Sequence, residues 1–330
     1  MSRPRLEASD YIQGIRAEKR YVLSQAITLV ESTREHDQRL AEEVLSSLLK
    51  YSGNSLRVGI TGVPGVGKST FINALGPFLI AKGHKVAVLT VDPSSKVSRG
   101  SILGDKTRMP DLSQYSEAYI RPSAAGSTLG GVARKTRESM LLCEAAGYDI
   151  ILIETVGVGQ SETLVHQMVD CFLLLMLAGA GDELQGIKRG IMEMTDLLVI
   201  NKADGPNLES ARMARLEYQK ALHLFPVPES GVLPQVFSCS AEEKKGLNDV
   251  WQAVVNYQQK TQASGYFTSN RRQQRLQWLH DTLGHYLEQI FYQHPIVRQQ
   301  LESLEQKVLA GEESPARVAR ELIRQFQQKS

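Results

Sequence analysis

The stretch that decides the fold is Gly62-Val63-Pro64-Gly65-Val66-Gly67-Lys68-Ser69. It fills every fixed position of the GxxxxGKS/T phosphate loop. An apolar run, residues 56–60, precedes it, and a helix-like stretch, residues 69–81, follows it. Because the motif binds phosphate when it lies between a strand and a helix, we interpret this stretch as a nucleotide-binding loop rather than a chance glycine turn.

The residue types of this loop suit a triphosphate. Glycines allow successive backbone N–H groups to turn into one concavity, and the following helix adds the positive end of its dipole. Lys68 supplies a point charge for the β- and γ-phosphates, and the Ser69 hydroxyl is a ligand for Mg²⁺. The predicted nucleotide-binding residues of this segment are Gly62, Val63, Pro64, Gly65, Val66, Gly67, Lys68, Ser69 and Thr70.

Further apolar runs alternate with helix-like stretches along the chain. Continuous apolar runs are typical of parallel strands that are buried on both faces. The predicted strands are residues 56–61, 85–91, 149–153, 171–177, 196–200 and 236–238. Alternation of strand and helix predicts a doubly wound α/β fold with a mainly parallel sheet, that of a P-loop NTPase, with helical extensions at both ends.

Shifts in composition predict three parts. Residues 1–52 form a helical N-terminal extension, residues 53–262 the nucleotide-binding domain, and residues 263–330 a helical C-terminal region rich in Gln, Arg and Leu. An apolar stripe runs along that last region at helical spacing, through Leu276, Leu279, Leu283 and Leu287. Such a stripe either packs on its own domain or forms a dimer interface, and we favour a homodimer through these helices.

Bulk properties exclude several classes of function. With 38 basic and 36 acidic residues the formal charge is +2, so we expect no nucleic-acid partner. The longest uninterrupted apolar run, residues 171–178, is too short to cross a membrane, and no apolar signal region is present near the N-terminus. Three scattered cysteines and the absence of a CxxC pair predict a cytoplasmic protein without a transition-metal site.

A second motif selects the base. Asn201-Lys202-Ala203-Asp204 directly follows the strand predicted at residues 196–200, at the strand end where α/β proteins bind ligands. The Asp204 carboxylate can accept hydrogen bonds from guanine N1–H and its amino group, whereas adenine would leave that carboxylate unpaired. The alternative is a polar turn at the end of a strand. Ser240 and Ala241 follow the last predicted strand, and we expect the backbone N–H of Ala241 to reach guanine O6.

Three carboxylates lie in loops that meet at the same predicted sheet edge. Asp92 follows a strand directly, Asp105 lies in a loop, and Glu154 ends another strand. Oxygen ligands of this kind suit Mg²⁺, and they could equally hold the attacking water. The alternative for each is helix capping or a solvated loop. We expect Gly157 to offer its N–H near the γ-phosphate, where it could sense hydrolysis.

A glycine-rich loop follows the strand at residues 171–177. In this loop, residues 179–190, Lys188 and Arg189 could swing toward phosphate charge. The alternative is an ordinary flexible surface loop, which would have the same composition. Because of its charge, we include Lys188 among the candidate catalytic residues, with Lys68, Asp92, Asp105 and Glu154.

These strings together resemble the MeaB/ArgK family, a group similar to metallochaperone-type P-loop GTPases. The resemblance rests on residues 62–69, 91–95, 100–109, 120–122, 129–131, 154–160, 181–190 and 201–204. It implies slow hydrolysis of GTP to GDP with Mg²⁺, and a role as chaperone of the adenosylcobalamin-dependent methylmalonyl-CoA mutase. It also implies a homodimer through the C-terminal helices. A further label in the family is a kinase linked to arginine/ornithine transport, which we keep as the alternative function.

The resemblance assigns roles by position. Lys68 and Ser69 would bind phosphate and Mg²⁺, and Lys188 would lie in a loop linked to partner-stimulated hydrolysis. Asp92, Asp105 and Glu154 would surround the metal, and Asn201, Lys202 and Asp204 would recognise guanine. Lys96 departs from the family pattern, which has Pro there. The chain lacks the Cys and His ligands of nickel-handling relatives, which favours the cobalamin branch.

Three hypotheses about the reaction stay open from the sequence. In the first, carboxylates position water for in-line attack, and a partner accelerates slow turnover by ordering residues 179–190. In the second, the chain transfers phosphate to a protein or small molecule, for which the sequence shows neither a pocket nor a base. In the third, the chain is a nucleotide-gated scaffold without useful hydrolysis.

Overall fold

The computed structural model describes residues 6–91, 108–122, 129–155, 161–179 and 189–328. Four of the predicted site residues, Asp92, Asp105, Gly157 and Lys188, lie outside these described residues, as does Lys96. The chain divides into two compact units, Met1–Gln274 and Arg275–Ser330.

The first unit is built on a seven-stranded sheet. Its strands are β1 (Leu56–Gly62), β2 (Val86–Val91), β3 (Ala118–Arg121), β4 (Ile150–Thr155), β5 (Cys171–Leu177), β6 (Leu197–Asn201) and β7 (Gln235–Ser238). Their order across the sheet is β3-β2-β4-β1-β5-β6-β7. Every neighbouring pair is parallel. This confirms the predicted doubly wound α/β fold.

One strand was missed by the sequence analysis. β3 is four residues long, Ala118-Tyr119-Ile120-Arg121, and it lies at an edge of the sheet. It contains too few apolar residues to form the continuous run that identifies a central strand. Its pairing with β2, in which Ile120 lies beside Val88, depends on tertiary packing that the local sequence does not record.

Helices surround the sheet and continue beyond it. In the first unit they are α1 (Ala8–Arg16), α2 (Arg20–Glu31), α3 (Glu35–Leu48), α4 (Lys68–Ile80), α5 (Leu129–Ala145), α6 (Ser161–His166), α7 (Arg189–Glu193), α8 (Leu208–Leu222) and α9 (Leu247–Ala263). The helix α10 (Tyr266–Gln293) begins in the first unit. The second unit also contains α11 (Pro295–Leu309) and α12 (Pro315–Gln328).

The two faces of the sheet are buried in separate hydrophobic cores. Since successive side chains of a strand point to opposite faces, a strand such as β2 contributes to both. On one face, Val58 and Ile60 of β1 pack with Phe71 of α4 and Trp251 of α9. On the other face, β2 and β4 pack with α5 and with the three N-terminal helices, whose buried side chains include Ile15, Leu23, Ile27 and Val44. A third cluster joins β5, β6 and α8.

Two buried ion pairs close the end of the sheet where the strands begin. Arg57 Nε donates to Glu144 Oε1 at 2.8 Å, and Arg271 Nη2 donates to Asp170 Oδ2 at 2.6 Å. Arg271 also donates to the backbone carbonyl of Ser55, at 2.6 Å. Both pairs are almost fully removed from solvent, so loss of one partner would leave a buried charge without its counter-ion. The start of α10 is therefore fixed to the sheet by charge as well as by packing.

None of the helices that the structure describes is both long and apolar enough to cross a lipid bilayer. The three cysteines, Cys143, Cys171 and Cys239, are buried and free of disulfides. Burial raises the pKa of the Cys239 thiol to about 12, so this side chain stays protonated at neutral pH.

Candidate nucleotide-binding site

The predicted site residues come from strands that end at one edge of the sheet. β4, β1, β5 and β6 are adjacent and parallel, so their carboxyl ends lie side by side. The phosphate loop leaves β1 at Gly62, Glu154 lies at the end of β4, and Asn201 ends β6. Open α/β sheets bind ligands in the crevice at this edge. The fold therefore brings the described part of the predicted site together.

Two glycines give the phosphate loop its shape. Gly62 has φ +149°, and a Cβ there would lie 2.4 Å from the backbone carbonyl oxygen of Leu175. Gly67, the residue before α4, has φ +93°, and a Cβ there would lie 2.9 Å from Asn201 Nδ2. Any side chain at these positions would be strained by the backbone and by contact with a neighbouring strand or loop. The loop can thus pass close to β5 and β6 and still present the start of α4.

Lys68 is folded back on its own loop in this structure. Its Nζ donates to the carbonyl oxygens of Gly62 at 2.6 Å and of Val63 at 3.2 Å. Burial lowers the pKa of the Lys68 ammonium, and the negative charges of Glu154 and Glu162 oppose that shift. The loop carbonyls thus satisfy a buried cation at the start of α4.

Ser69 and Glu154 are joined directly. Ser69 Oγ donates to Glu154 Oε1 at 2.7 Å, which connects the first turn of α4 with the end of β4. Glu154 is buried, so its carboxylate lies inside the site and not in a solvated loop. These two oxygen-bearing side chains were both predicted as metal ligands, and they lie within hydrogen-bonding distance of each other. Within the described ranges, however, no group of three or more His, Cys, Asp and Glu side chains forms a candidate metal site.

A hydroxyl pair below the site was not predicted. Thr155 Oγ1 donates to Thr61 Oγ1 at 2.8 Å, and both side chains are buried. The bond joins the last residue of β4 to the residue before Gly62. In the sequence these threonines lie at the ends of mainly apolar strands. A polar residue at the buried end of each of two strands was the available signal.

Asn201 is the residue that holds the base side of the site to the phosphate side. Its Nδ2 donates to the carbonyl oxygen of Val66 at 2.8 Å. Its Oδ1 accepts from the backbone N–H of Ala241 at 3.3 Å and from Cys239 Sγ at 3.4 Å. The loop after β1 and the segment after β7 therefore both contact one buried amide at the end of β6. In this structure the Ala241 N–H is engaged by Asn201, and its predicted contact with guanine O6 stays a prediction.

The other two residues of the NKxD motif also have partners in neighbouring loops. Lys202 Nζ donates to the carbonyl oxygen of Gly65 at 3.0 Å. Asp204 accepts a short hydrogen bond from Ser240 Oγ, which itself accepts from the backbone N–H of Glu243 at 3.0 Å. Ser240 is fully buried, so it can fix one oxygen of the Asp204 carboxylate. The remaining lone pairs of that carboxylate are then available to a base.

Glu162 is a further buried acidic residue that sequence reasoning missed. It lies in the first turn of α6, and its charge acts on Lys68. The side chain is only 3 % exposed. Its position shortly after the predicted Glu154–Gly157 segment was the one signal that could have identified it.

Three features together define a class: a phosphate loop at the end of β1, the Ser69–Glu154 pair, and an NKxD motif whose carboxylate is fixed by Ser240. The fold and the site are those of a P-loop GTPase. Within that class, the chain belongs to the family described as Methylmalonyl Co-A mutase-associated GTPase MeaB, whose pattern matches residues 23–295. The predicted membership and the predicted GTPase activity are confirmed.

Individual relatives span most of the chain. The GTPase ArgK of Escherichia coli (strain K12) is 51% identical over 271 residues, which cover 82% of each chain. The Probable GTPase Rv1496 of Mycobacterium tuberculosis (strain ATCC 25618 / H37Rv) is 50% identical over 310 residues, 94% of this chain and 92% of that one. The mitochondrial Methylmalonic aciduria type A homolog of Mus musculus is 46% identical, over 95% of this chain and 78% of its own.

A solved structure extends the likeness to the fold. The crystal structure of LAO/AO transport system kinase superposes with a TM-score of 0.76 and is 38% identical. The superposition covers 99% of this chain and 100% of that one. The names of these relatives thus include both the mutase-related and the transport-related labels.

Proposed function

We propose that this protein is a GTP-hydrolysing chaperone of an adenosylcobalamin-dependent acyl-CoA mutase, methylmalonyl-CoA mutase. In this role it gates the loading of the cofactor and protects or reactivates the mutase. The observation that carries the proposal is membership, over residues 23–295, of a family described as mutase-associated. The mouse relative, named for methylmalonic aciduria, supports the same partner.

The geometry supports a defined mode of nucleotide binding. The triphosphate lies over the phosphate loop, residues 62–70, at the positive end of α4. Lys68 leaves the carbonyl oxygens of Gly62 and Val63, which it now contacts, and turns to the β- and γ-phosphates. The base lies at the other end of the site, where Asp204 accepts from guanine N1–H and its amino group. Lys202, whose Nζ donates to the carbonyl oxygen of Gly65, borders the base.

The donor set fits Mg²⁺. Magnesium takes oxygen ligands and retains water. Ser69 Oγ and Glu154 Oε1 are two oxygen atoms 2.7 Å apart at the start of α4, so they match this preference. Ser69 and Glu154 would hold the ion, together with Asp92 and Asp105 from outside the described residues. When bound, magnesium neutralises charge that develops on the phosphate oxygens.

The residues at the end of β4 and just after it take part in hydrolysis and sense its outcome. Glu154, which now accepts from Ser69, would hold the metal or the attacking water, and Gly157 is proposed to sense the loss of the γ-phosphate. The Thr61–Thr155 bond transmits movement of the phosphate loop to the same strand end. Lys188 completes the site when the mutase is bound, so turnover without the partner is slow.

We propose that the protein acts as a homodimer through its C-terminal helices. In the second unit, α10 presents Leu276, Leu279, Leu283, Leu287 and Ile290 at helical spacing, and each is about half exposed or more in the single chain. An apolar stripe of this length on one helix is typical of a helix–helix interface. A second copy of the same stripe would cover it with closed two-fold symmetry.

The central test is nucleotide-dependent association with the mutase. Purified methylmalonyl-CoA mutase is passed over the immobilised chain with GDP, with a non-hydrolysable GTP analogue, or with no nucleotide. Transfer of adenosylcobalamin to the mutase is measured in parallel. We expect binding in all nucleotide-loaded states and cofactor transfer that differs between GDP and the analogue. Glu154→Ala should bind nucleotide and lose that difference. No association in any state would contradict the proposal.

A second candidate function is phosphate transfer to a protein, favoured by the likeness to the solved structure of LAO/AO transport system kinase. The two functions differ in the fate of the γ-phosphate. A chaperone GTPase releases it as free phosphate, whereas a kinase transfers it to a protein substrate. With γ-labelled GTP we expect the label in inorganic phosphate, and stable label on protein would favour the kinase.

A further inference from the structure

A groove with a volume of 520 Å³ runs along the outer edge of β7, away from the nucleotide-binding residues. It lies between α8, which supplies one wall, and α9, which supplies Lys260. Its apolar lining residues include Val232 and Leu233 before β7 and Val236 and Phe237 in β7. β7 is the last strand of the sheet, so the groove lies beside a strand that pairs on one side with β6.

The polar wall of this groove is cationic. Arg215, Gln219 and His223 are spaced four residues apart on and just after α8, so they lie in one row along the helix. Lys260 faces them from α9. Within the part of the chain that the structure describes, no Asp or Glu lines the groove, and Arg215 and Lys260 make no ion pair. The charges of Arg215 and Lys260 are therefore not neutralised by any residue in the described ranges.

The backbone of β7 offers hydrogen-bonding groups to the groove. Cys239 N donates to Ile200 O at 2.9 Å, and Cys239 O accepts from Ala203 N at 3.0 Å, so both groups of Cys239 face β6. Since alternate residues of a strand turn these groups to opposite sides, the N–H and C=O of Val236 point outward, to the groove side. An extended segment laid along β7 could therefore bond to the main chain as well as to the cationic wall.

We propose that this groove docks an extended, acidic segment of methylmalonyl-CoA mutase, with its backbone along Val236 and its carboxylates toward Arg215 and Lys260. The inference rests on the proposed function and adds a contact surface to it. Charge complementarity selects the occupant: an uncompensated cationic wall beside a free strand edge favours a segment that carries the opposite charge. A basic rim that only keeps strand edges apart is the competing explanation.

The experiment compares two double charge reversals. The groove variant combines Arg215→Glu with Lys260→Glu. The control combines Arg212→Glu with Lys220→Glu, which makes the same change in net charge at exposed residues of α8 outside the groove. The affinity of each for purified methylmalonyl-CoA mutase is measured by biolayer interferometry in GDP, at low and at physiological salt. GDP affinity and thermal denaturation report whether each variant is folded.

We expect the groove variant to bind the mutase at least about tenfold more weakly, and the control within about twofold of wild type. The milder pair Arg215→Ala with Lys260→Ala should show an intermediate loss and a flatter salt dependence, since it removes charge without reversing it. Equal affinities of the groove variant and the control would overturn this proposal alone. Failure of the wild-type chain to bind the mutase would overturn the proposed function and the docking site with it.

Discussion

Asn201→Ala tests the most specific claim about the site, that one buried amide joins its base side to its phosphate side. The substitution removes the donor to the Val66 carbonyl, at 2.8 Å, and the acceptor of the Ala241 N–H, at 3.3 Å. Asn201 is 2% exposed, so water replaces these partners poorly. The phosphate loop and the loop at Ser240 then lose their common contact.

The magnitude follows from these bonds. Each hydrogen bond contributes about 0.5–1.5 kcal/mol net, so the pair contributes about 1–3 kcal/mol. If the loops must be held in place before a nucleotide can bridge them, this free energy appears as lost affinity, about 5- to 150-fold for GDP. Because the bond to Ala241 is long, we expect the lower half of that range.

The assay is a fluorescence titration with a labelled GDP, with thermal denaturation of each variant in parallel. Asn207→Ala is the control, since Asn207 is exposed on the turn that follows the motif. Asn201→Asp is the second variant. It keeps an acceptor for Ala241 but places a carboxylate oxygen against the Val66 carbonyl, so its loss should equal or exceed that of alanine. A folded Asn201→Ala protein that binds GDP within about twofold of wild type would refute the tether.

Other parts of the molecule give four further predictions. Asp204→Asn should lower GDP affinity by at least about 100-fold, because charge-assisted hydrogen bonds to guanine are lost, and calorimetry should then show preference for xanthosine diphosphate. Asp170→Asn should lower the free energy of unfolding by about 3–5 kcal/mol, since it leaves Arg271 buried without its counter-ion, and chemical denaturation that shows no loss would contradict this. Leu283→Glu should convert a dimer to a 36.6 kDa monomer in light scattering with GDP affinity unchanged, and a persistent dimer would exclude this stripe as the interface. Burial raises the pKa of Asp196 to about 7. A carboxyl that is more easily ionised in the unfolded chain favours unfolding as pH rises from about 4 to about 7. Asp196→Asn should therefore remove part of the loss of stability that the wild-type protein shows between pH 5 and pH 8. Identical stability profiles against pH for the two proteins would contradict this pKa assignment.

The sequence predicted the central part of the molecule well because its signals there are local. A phosphate loop needs eight consecutive residues, and a buried parallel strand needs one apolar run. The short strand β3, which lies at the sheet edge, gave no such run and was missed. The order of the strands was also absent from the sequence analysis. β1 lies between β4 and β5, and this crossover places Glu154 beside Ser69.

The features of the site also divide into those that a local motif predicts and those that depend on the tertiary structure. The motifs identified the residues predicted to contact the nucleotide, such as Lys68 and Asp204, because that chemistry requires particular side chains. They did not show the contacts that link motif to motif. The Thr61–Thr155 bond joins residues that are far apart in the chain, and each threonine alone resembles an ordinary strand residue. Only the register of β1 with β4 brings them together.

These links give the site a physical reason to respond as a unit. Asn201 joins the base-binding loops to the phosphate loop, and Ser69 joins the phosphate loop to Glu154 at the end of β4. If Ser69 turns to a metal, a change at the γ-phosphate must disturb the Ser69–Glu154 hydrogen bond. The residues after β4 are attached to the same strand end, so the disturbance reaches them. The buried Thr61–Thr155 bond limits how far β1 and β4 can separate, so the movement is directed outward into the loop. If this coupling operates, replacing both threonines by valine, which keeps their volume, should preserve GDP affinity and weaken the dependence of mutase cofactor loading on the bound nucleotide.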